Sequence, residues 1–168
     1  MRVPVAGGGP ERVPIGGLLD EFRCALGAGK RCVLRTTVPG ESRTYYDLDD
    51  IRGKGPELAR IKWSIEVLGD WDISPDGSQI AMPIHDSRDG RIPVVSLEPG
   101  PNESREHQVF LPGMTDLSGL VWAADGRGWF VSTDTTIGNQ LLYVYLDGRF
   151  QSLGDIEGWA SPRRTAAT

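Results

Sequence analysis

The residues of this chain that could perform chemistry are two histidines, two cysteines and several short runs rich in Gly, Ser and Asp. The stretch GAGK, Gly27 to Lys30, comes nearest to a phosphate-binding loop. Such a loop requires a glycine five residues before Gly29 and a Ser or Thr after the lysine, but the chain has Cys24 and Arg31 there. The stretch therefore predicts a hairpin turn and no nucleotide-binding activity.

The two histidines, His85 and His107, do not stand at a metal-ligand spacing from the cysteines. A Ser/His/Asp set could be drawn from His85, Asp86 and one of the serines, but no Gly-x-Ser-x-Gly elbow supports it. The run HDSRDG also lacks the residue order of a kinase catalytic loop. The sequence therefore predicts a protein that is not an enzyme and that uses no metal or other cofactor.

The acidic run DLDD, Asp47 to Asp50, offers the oxygen ligands that calcium prefers, but it lacks the glycine and the final glutamate of a helix-loop-helix calcium site. We favour a solvated strand end over a cation site. The tryptophans could form a ligand platform or the core between stacked sheets, and we favour the core. They are Trp63, Trp71, Trp122, Trp129 and Trp159.

The cysteines Cys24 and Cys32 stand symmetrically about Ala28 in CALGAGKRC. A hairpin that turns at Gly27 to Gly29 places them opposite each other on adjacent strands, where a non-hydrogen-bonded pair comes within disulfide range. The alternative is a pair of small buried thiols in a reducing compartment. A disulfide would favour a location outside the cytoplasm, and the sequence alone leaves the compartment open.

The composition is that of a soluble globular chain of one ordinary domain, with 168 residues, 39% hydrophobic and 24% charged. The 22 glycines and 12 prolines favour short strands and many turns, so an all-β fold is predicted. The net charge of −5 argues against a nucleic-acid surface. Neither an apolar signal-peptide core nor a run of about 18 apolar residues occurs, so no membrane contact is expected.

A repeated unit organises the chain. The pair Asp76-Gly77 in ISPDGSQIAM recurs as Asp125-Gly126 in VWAADGRGWFV, 49 residues later. Stepping back by 48 residues from Gly77 gives the turn in CALGAGKRCVL, and GWASP near the end repeats the Trp and the Ser-Pro. Each copy holds three or four short strands joined by Gly, Asp and Pro turns, which is typical of a propeller blade.

The turn SPDG reverses the chain between two strands of a hairpin. Pro75 presets φ, Asp76 tolerates the next turn position, and Gly77 supplies a positive φ that reverses the chain after Ser74. Alternation along the two flanking strands predicts an apolar face that must be covered by a neighbouring sheet. Its predicted members are Trp71, Ile73, Ile80, Met82 and Ile84.

The phrase SPDGSQIAM resembles the Ser-Pro-Asp-Gly motif of WD-repeat-like β-propellers of the TolB type. The run GKGPELARI followed by WDISPDG is similar to propeller regions of acidobacterial serine/threonine kinases and winged-helix regulators. The first copy departs from the motif with GAGK, the third with Ala123-Ala124, and the fourth breaks down after Ser-Pro. Because such propellers have six to eight blades, the resemblance implies an incomplete one, the chain being a fragment, a truncated gene or altered at its end by a shifted reading frame.

We therefore expect about three four-stranded blades, at residues 17–62, 63–112 and 113–156, and the start of a fourth at 157–162. A flexible leader at 1–16 and a disordered tail at 163–168 would flank them. The predicted partners are the remaining propeller blades or a second copy of the chain, since an open stack leaves its outer faces uncovered.

The resemblance implies a non-enzymatic module that binds a ligand or a protein, part of a bacterial sensor or signalling protein. Binding would use the loops, for which HDSRDG and STDTTIGN are candidates. The alternative is the propeller of a prolyl-oligopeptidase-like serine peptidase that lacks its hydrolase domain.

Overall fold

The computed structural model describes residues 21–27, 31–38, 42–49, 52–62, 70–84, 90–98, 106–135 and 138–156. All regular elements in these ranges are β-strands, so the predicted all-β class is confirmed. The strands form three separate four-stranded antiparallel sheets, and in each sheet the strands pair in chain order. The chain therefore builds three consecutive meanders.

Each sheet takes one continuous segment of the chain. Sheet 1 contains β1 (Glu21–Cys24), β2 (Cys32–Val38), β3 (Ser42–Asp49) and β4 (Gly53–Lys62). Sheet 2 contains β5 (Asp72–Ile73), β6 (Gln79–Ala81), β7 (Gly90–Ser96) and β8 (Glu106–Leu111). Sheet 3 contains β9 (Leu117–Trp122), β10 (Gly128–Thr135), β11 (Gly138–Tyr145) and β12 (Phe150–Ile156).

These bounds fall inside the three predicted blade ranges. The predicted leader at 1–16, the start of a further blade at 157–162 and the tail at 163–168 lie outside the described residues.

The Asp-Gly turns form as their residue types dictate. Gly77 has a φ of 76° and donates its backbone N–H to the carbonyl of Ser74 at 2.8 Å. Gly126, with a φ of 71°, bonds in the same way to Ala123. We call the hairpin between the first and second strands of each sheet its inner hairpin. A residue with a side chain is strained at such positive φ, so the glycine after the aspartate determines where the inner hairpins of sheets 2 and 3 reverse.

Alternation along the strands gives sheet 2 two buried faces. One face packs on sheet 1, where Tyr45 meets Trp71 with ring centroids 5.2 Å apart and nearly perpendicular planes. Four of the five predicted members of the apolar face, Trp71, Ile73, Ile80 and Met82, join one cluster with residues of sheet 1, whereas Ile84 is not part of it. The sheet 1 members of that cluster are Ala25, Val33, Tyr45 and Ala59.

The other face of sheet 2 packs on sheet 3. Ala81 and Val94 of sheet 2 lie in one cluster with Trp122 and Trp129, whose rings are 4.9 Å apart. All three tryptophans in the described ranges are buried, as expected for core residues, whereas Trp63 and Trp159 lie outside those ranges.

The three sheets approach one another most closely at their first strands, since β5 contacts both β1 and β9. From there each sheet runs outward to its fourth strand. The sheets are therefore stacked face to face around their first strands, and the turns between first and second strands of neighbouring sheets lie side by side.

Candidate functional site

The inner-hairpin turn of sheet 2 is held rigidly by its own side chains. The Asp76 carboxylate accepts hydrogen bonds from Ser74 Oγ at 2.6 Å and from the Ser78 backbone N–H at 3.0 Å. The Ser74 hydroxyl also accepts from the Gln79 backbone N–H at 3.0 Å. The bond from Ser74, followed by that from the Ser78 N–H, holds the pKa of Asp76 below its usual range. The turn therefore presents a fixed carboxylate that is ionised near neutral pH.

Sheet 1 fixes the same turn from its other side. The Gly27 backbone N–H donates to the carbonyl of Pro75 at 2.9 Å. Arg31 donates from Nη1 to the carbonyl of Gly77 at 3.0 Å and reaches Glu98 Oε1 at 3.1 Å. The close approach explains why a glycine stands at position 27, because a Cβ there would collide with the Pro75 carbonyl.

The equivalent turn of sheet 3 is built in a similar way. Asp125 Oδ1 accepts a hydrogen bond from the Arg127 backbone N–H at 3.0 Å. Ala123 and Ala124 replace the Ser-Pro of sheet 2, so this turn has no serine hydroxyl to fasten its aspartate.

A cleft of about 350 Å³ opens between these two turns. Its volume lies within the range of small-molecule sites. We call it the turn cleft. It combines two carboxylates with the apolar surfaces of Pro75, Trp122 and Leu146. Its lining residues are Ser74, Pro75, Asp76, Gln79, Trp122, Ala124, Asp125, Gly126 and Leu146.

Trp122 ties the cleft to the core between sheets 2 and 3. Its backbone N–H donates to Asp72 Oδ2 at 2.8 Å, while the other carboxylate oxygen of Asp72 accepts from the Ile73 N–H at 2.9 Å. Burial raises the pKa of Asp72, and the two backbone hydrogen bonds oppose that rise. Asp72 thus links the first strands of sheets 2 and 3. The Trp122 Nε1 is buried without a hydrogen-bond partner.

The turn residues singled out in the sequence are therefore brought together in space. Ser74, Pro75, Asp76, Asp125 and Gly126 all line the turn cleft, whereas Gly77 does not line it and accepts a hydrogen bond from Arg31 of sheet 1.

Sequence analysis missed Gln79, Leu146 and the linking role of Asp72. The 49-residue repeat made the first strands of sheets 2 and 3 equivalent, but it did not indicate that Asp72 bonds the neighbouring sheet.

The two cysteines lie at the inner hairpin of sheet 1. Cys24 and Cys32 are opposite each other in the β1–β2 register and are joined by a disulfide, with Cα atoms 4.0 Å apart. The adjacent Ala25 N–H donates to the Arg31 carbonyl at 2.8 Å, which closes the hairpin. The bond lies on the side of sheet 1 away from sheet 2, apart from the turn cleft.

The other candidates take no part in the cleft. Asp47 lies 3.7 Å from Arg31 Nε, and Asp49 caps the Arg52 N–H at 2.7 Å, as strand-end residues do. Asp50, His85 and Asp86 fall outside the described residues, as does most of HDSRDG. In the part of the chain that the structure describes, no group of His, Cys, Asp and Glu could hold a metal ion. None of the described segments is a helix long and apolar enough to cross a membrane.

A second cleft, of about 590 Å³, follows the outer strand β4. Two of its four charged wall residues, Glu57 and Arg60, bond each other at 2.7 and 3.0 Å, and the bond from Arg60 lowers the pKa of Glu57. Because this ion pair satisfies its own charges on an exposed strand, the turn cleft is the better candidate site. The full lining is Glu57, Leu58, Ala59, Arg60, Ile61, Lys62, Val95 and Glu106.

Comparison with known proteins gives no matching family model and no match among curated proteins. Solved structures do match. An uncharacterized protein from Listeria monocytogenes aligns with 84% of this chain and 43% of its own at a TM-score of 0.54 and 15% identity. A protein from Bacteroides fragilis described as a "putative 6-phosphogluconolactonase" aligns with 80% of this chain and 37% of its own, at a TM-score of 0.50 and 14% identity.

The fold is an incomplete β-propeller. The three sheets are its blades, stacked around their first strands as a propeller requires. The chain spans less than half the length of both matched structures, and identities of 14 and 15% carry the fold and no activity.

Proposed function

We propose that this chain is a non-enzymatic binding module, a propeller segment of a longer bacterial sensor or scaffold protein of the TolB-like type. The turn cleft is the binding site, and the ligand is a cationic group on an apolar body, such as a lysine or arginine side chain of a partner protein. The observation that carries the proposal is the pair of equivalent turns, which direct Asp76 and Asp125 to one cleft.

The chemistry of the cleft supports a cationic ligand. Asp76 stays ionised because its pKa is lowered, and it is held in place by Ser74 and Ser78 before any ligand arrives. Trp122 and Leu146 supply apolar surface for the stem of a long side chain, which prefers apolar contact while its charged end remains hydrated. A preorganised site of this kind loses little conformational entropy on binding.

Calorimetry with a short peptide tests the proposal. The probe is acetyl-Ala-Leu-Lys-Leu-Ala-amide, and its control has norleucine in place of lysine. We expect the lysine peptide to bind more tightly and its affinity to fall with added salt, since exposed charge pairs are screened. An exposed ion pair is worth about 0.2 to 1 kcal/mol, so Asp125→Asn should weaken binding by up to about fivefold.

The chain offers a matched control for that variant. Asp147 accepts a hydrogen bond from the Arg149 N–H at 3.0 Å, as Asp125 does from Arg127, but it is not part of the cleft. Asp147→Asn should leave peptide affinity unchanged. Equal affinity for the lysine and norleucine peptides, or equal losses in the two variants, would show that the cleft does not recognise charge.

The non-enzymatic part of the proposal has its own test. Purified protein is offered ATP, a peptide ester and 6-phosphogluconolactone, and we expect no turnover above the uncatalysed rate. Turnover that survives further purification would contradict a pure binding module, and its loss in His85→Ala would assign the activity to this chain.

A further inference from the structure

The side of sheet 3 that faces away from sheet 2 carries large apolar residues. Val121, Phe130 and Tyr143 are directly opposite one another on β9, β10 and β11, and Tyr145 lies beside them. The rings of Phe130 and Tyr143 are 5.3 Å apart, and those of Tyr143 and Tyr145 are 4.9 Å apart. Val121, Phe130 and Tyr145 remain 57%, 39% and 36% exposed. A sheet face of this composition needs a cover.

The repeat makes positions in the three sheets comparable. The backbone bonds that close the inner hairpins start from Ala25, Ser74 and Ala123, each 49 residues after the last. The preceding residues, Cys24, Ile73 and Trp122, are therefore equivalent, and so are the residues paired with them across the hairpin. Those partners are Cys32, Ile80 and Trp129.

Side-chain sizes are matched across the interface of sheets 2 and 3. Sheet 2 presents the small residues Ala81 and Val94, and sheet 3 places the large Trp122 and Trp129 against them. On the outer side of sheet 3, Phe130 and Tyr143 occupy the positions that are equivalent to Ala81 and Val94 of sheet 2. Cores keep a nearly constant packing density. A sheet that covers this side must therefore carry small side chains at the positions equivalent to Trp122 and Trp129.

Sheet 1 of the same chain meets that requirement. At the positions of Trp122 and Trp129 it has Cys24 and Cys32, on its side away from sheet 2. Cys24 is exposed there, and the neighbouring Phe22 is 55% exposed. Leu34, directly opposite Phe22, and Thr44 on the same side are buried, so the open part of this surface is the β1 edge, which carries Phe22 and Cys24.

We infer that, when this chain is a separate polypeptide, the outer side of sheet 3 docks onto the outer side of sheet 1 of a second copy. Phe130 and Tyr143 of one copy pack over the Cys24–Cys32 disulfide and Phe22 of the other. The contact continues the stacking that already joins sheets 1, 2 and 3. It is head to tail, and two copies related by a two-fold axis can make it twice and close.

The expected size of the interface favours closure. Four strands at about 4.8 Å spacing and about six residues at 3.3 Å per residue give a face of roughly 400 Å². A contact over whole faces would bury about 800 Å² in total, and the covered part of sheet 1 makes it smaller. One contact therefore lies below the standard range for a stable complex, and two reciprocal contacts, of at most about 1,600 Å², are needed to approach it.

Light scattering after size exclusion tests the inference on the full chain over a hundredfold range of concentration. We expect twice the 18.3 kDa mass of the chain for the wild type. Phe130→Asp and Phe22→Lys should each give monomers, and circular dichroism should show an unchanged fold because both side chains are exposed. Phe110→Asp is the matched control, since Phe110 is 51% exposed on sheet 2, and it should remain a dimer.

A mixture of the two monomeric variants distinguishes the geometry. Phe130→Asp still has an intact sheet 1 surface and Phe22→Lys an intact sheet 3 surface, so the mixture should form heterodimers with one native contact and one Asp-Lys contact.

A dimeric Phe22→Lys variant would overturn the head-to-tail contact in favour of sheet 3 on sheet 3. A wild type that is monomeric at every concentration would overturn docking of a second copy and leave a further blade of a longer chain as the cover. Dissociation by Phe110→Asp would show that the association is not specific to these surfaces.

Discussion

Removing the Asp72 carboxylate should loosen the junction of sheets 2 and 3. It accepts hydrogen bonds from the N–H groups of Trp122 at 2.8 Å and Ile73 at 2.9 Å, and Trp122 lies in the core. Two hydrogen bonds to a charged acceptor contribute at least about 3 kcal/mol together. Loss of the half-buried charge offsets part of that contribution, because burial disfavours its ionised form. Asp72→Ala should therefore cost about 2 kcal/mol.

Urea unfolding followed by tryptophan fluorescence measures this change, and the melting temperature should fall by about 4 to 8 °C. Hydrogen exchange should show a loss of protection at the Trp122 amide. Asp155→Ala is the control, since Asp155 is exposed on β12, and its effect should stay within about 0.5 kcal/mol. A cost below about 0.5 kcal/mol for Asp72→Ala, or an unchanged Trp122 amide, would refute the linking role.

The same carboxylate has a pH signature. The folded-state pKa of Asp72 is raised, so the folded protein holds the proton more tightly than the unfolded chain. Stability from this group is present below the unfolded pKa of about 3.9 and is lost as the pH rises through the folded pKa. Asp72→Asn should lack this loss, so the variant's stability relative to the wild type should increase over that window.

Three further predictions concern sheet 1. Gly27→Ala should cost at least about 1 kcal/mol in urea unfolding, because the new methyl group meets the Pro75 carbonyl, and wild-type stability would contradict the close approach. Burial raises the pKa of Tyr45 to about 12. Stability should therefore fall as the pH rises from about 10 towards 12 in the wild type, but less in Tyr45→Phe. Parallel pH profiles of the two proteins would argue against this effect of Tyr45. The Cys24–Cys32 bond closes a short loop and should contribute about 2 to 3 kcal/mol to the free energy of unfolding. Mass spectrometry that finds both thiols alkylated after expression in an oxidising compartment would show that the bond does not form.

The sequence predicted the strands and turns well because their signals are local. Gly77 and Gly126 follow aspartates that favour a turn, and alternation around SPDG identified the buried Trp71 and Met82. The family resemblance and the predicted role in signalling stay predictions, since no compared protein bears on them.

The turn cleft could not be predicted in the same way. It depends on how sheets 2 and 3 stack, and that places Leu146 of one sheet beside Gln79 of another, 67 residues away. Asp72 was missed because a carboxylate that bonds the backbone of a neighbouring sheet leaves no periodic signal within its own strand.

The local topology of the sheets also sets the order in which the chain can fold during synthesis. Each sheet pairs only strands adjacent in sequence, and hairpins form within about 10 μs. A ribosome adds about 5 to 20 residues per second, and Ile80 follows the end of sheet 1 at Lys62 by 18 residues, so it emerges roughly 1 to 4 seconds later. Sheet 1 therefore waits for seconds with Tyr45, Val33 and Ala59 uncovered before Trp71 and Ile80 arrive. During translation that waiting face is open to chaperones and to misassembly with neighbouring chains on the same messenger.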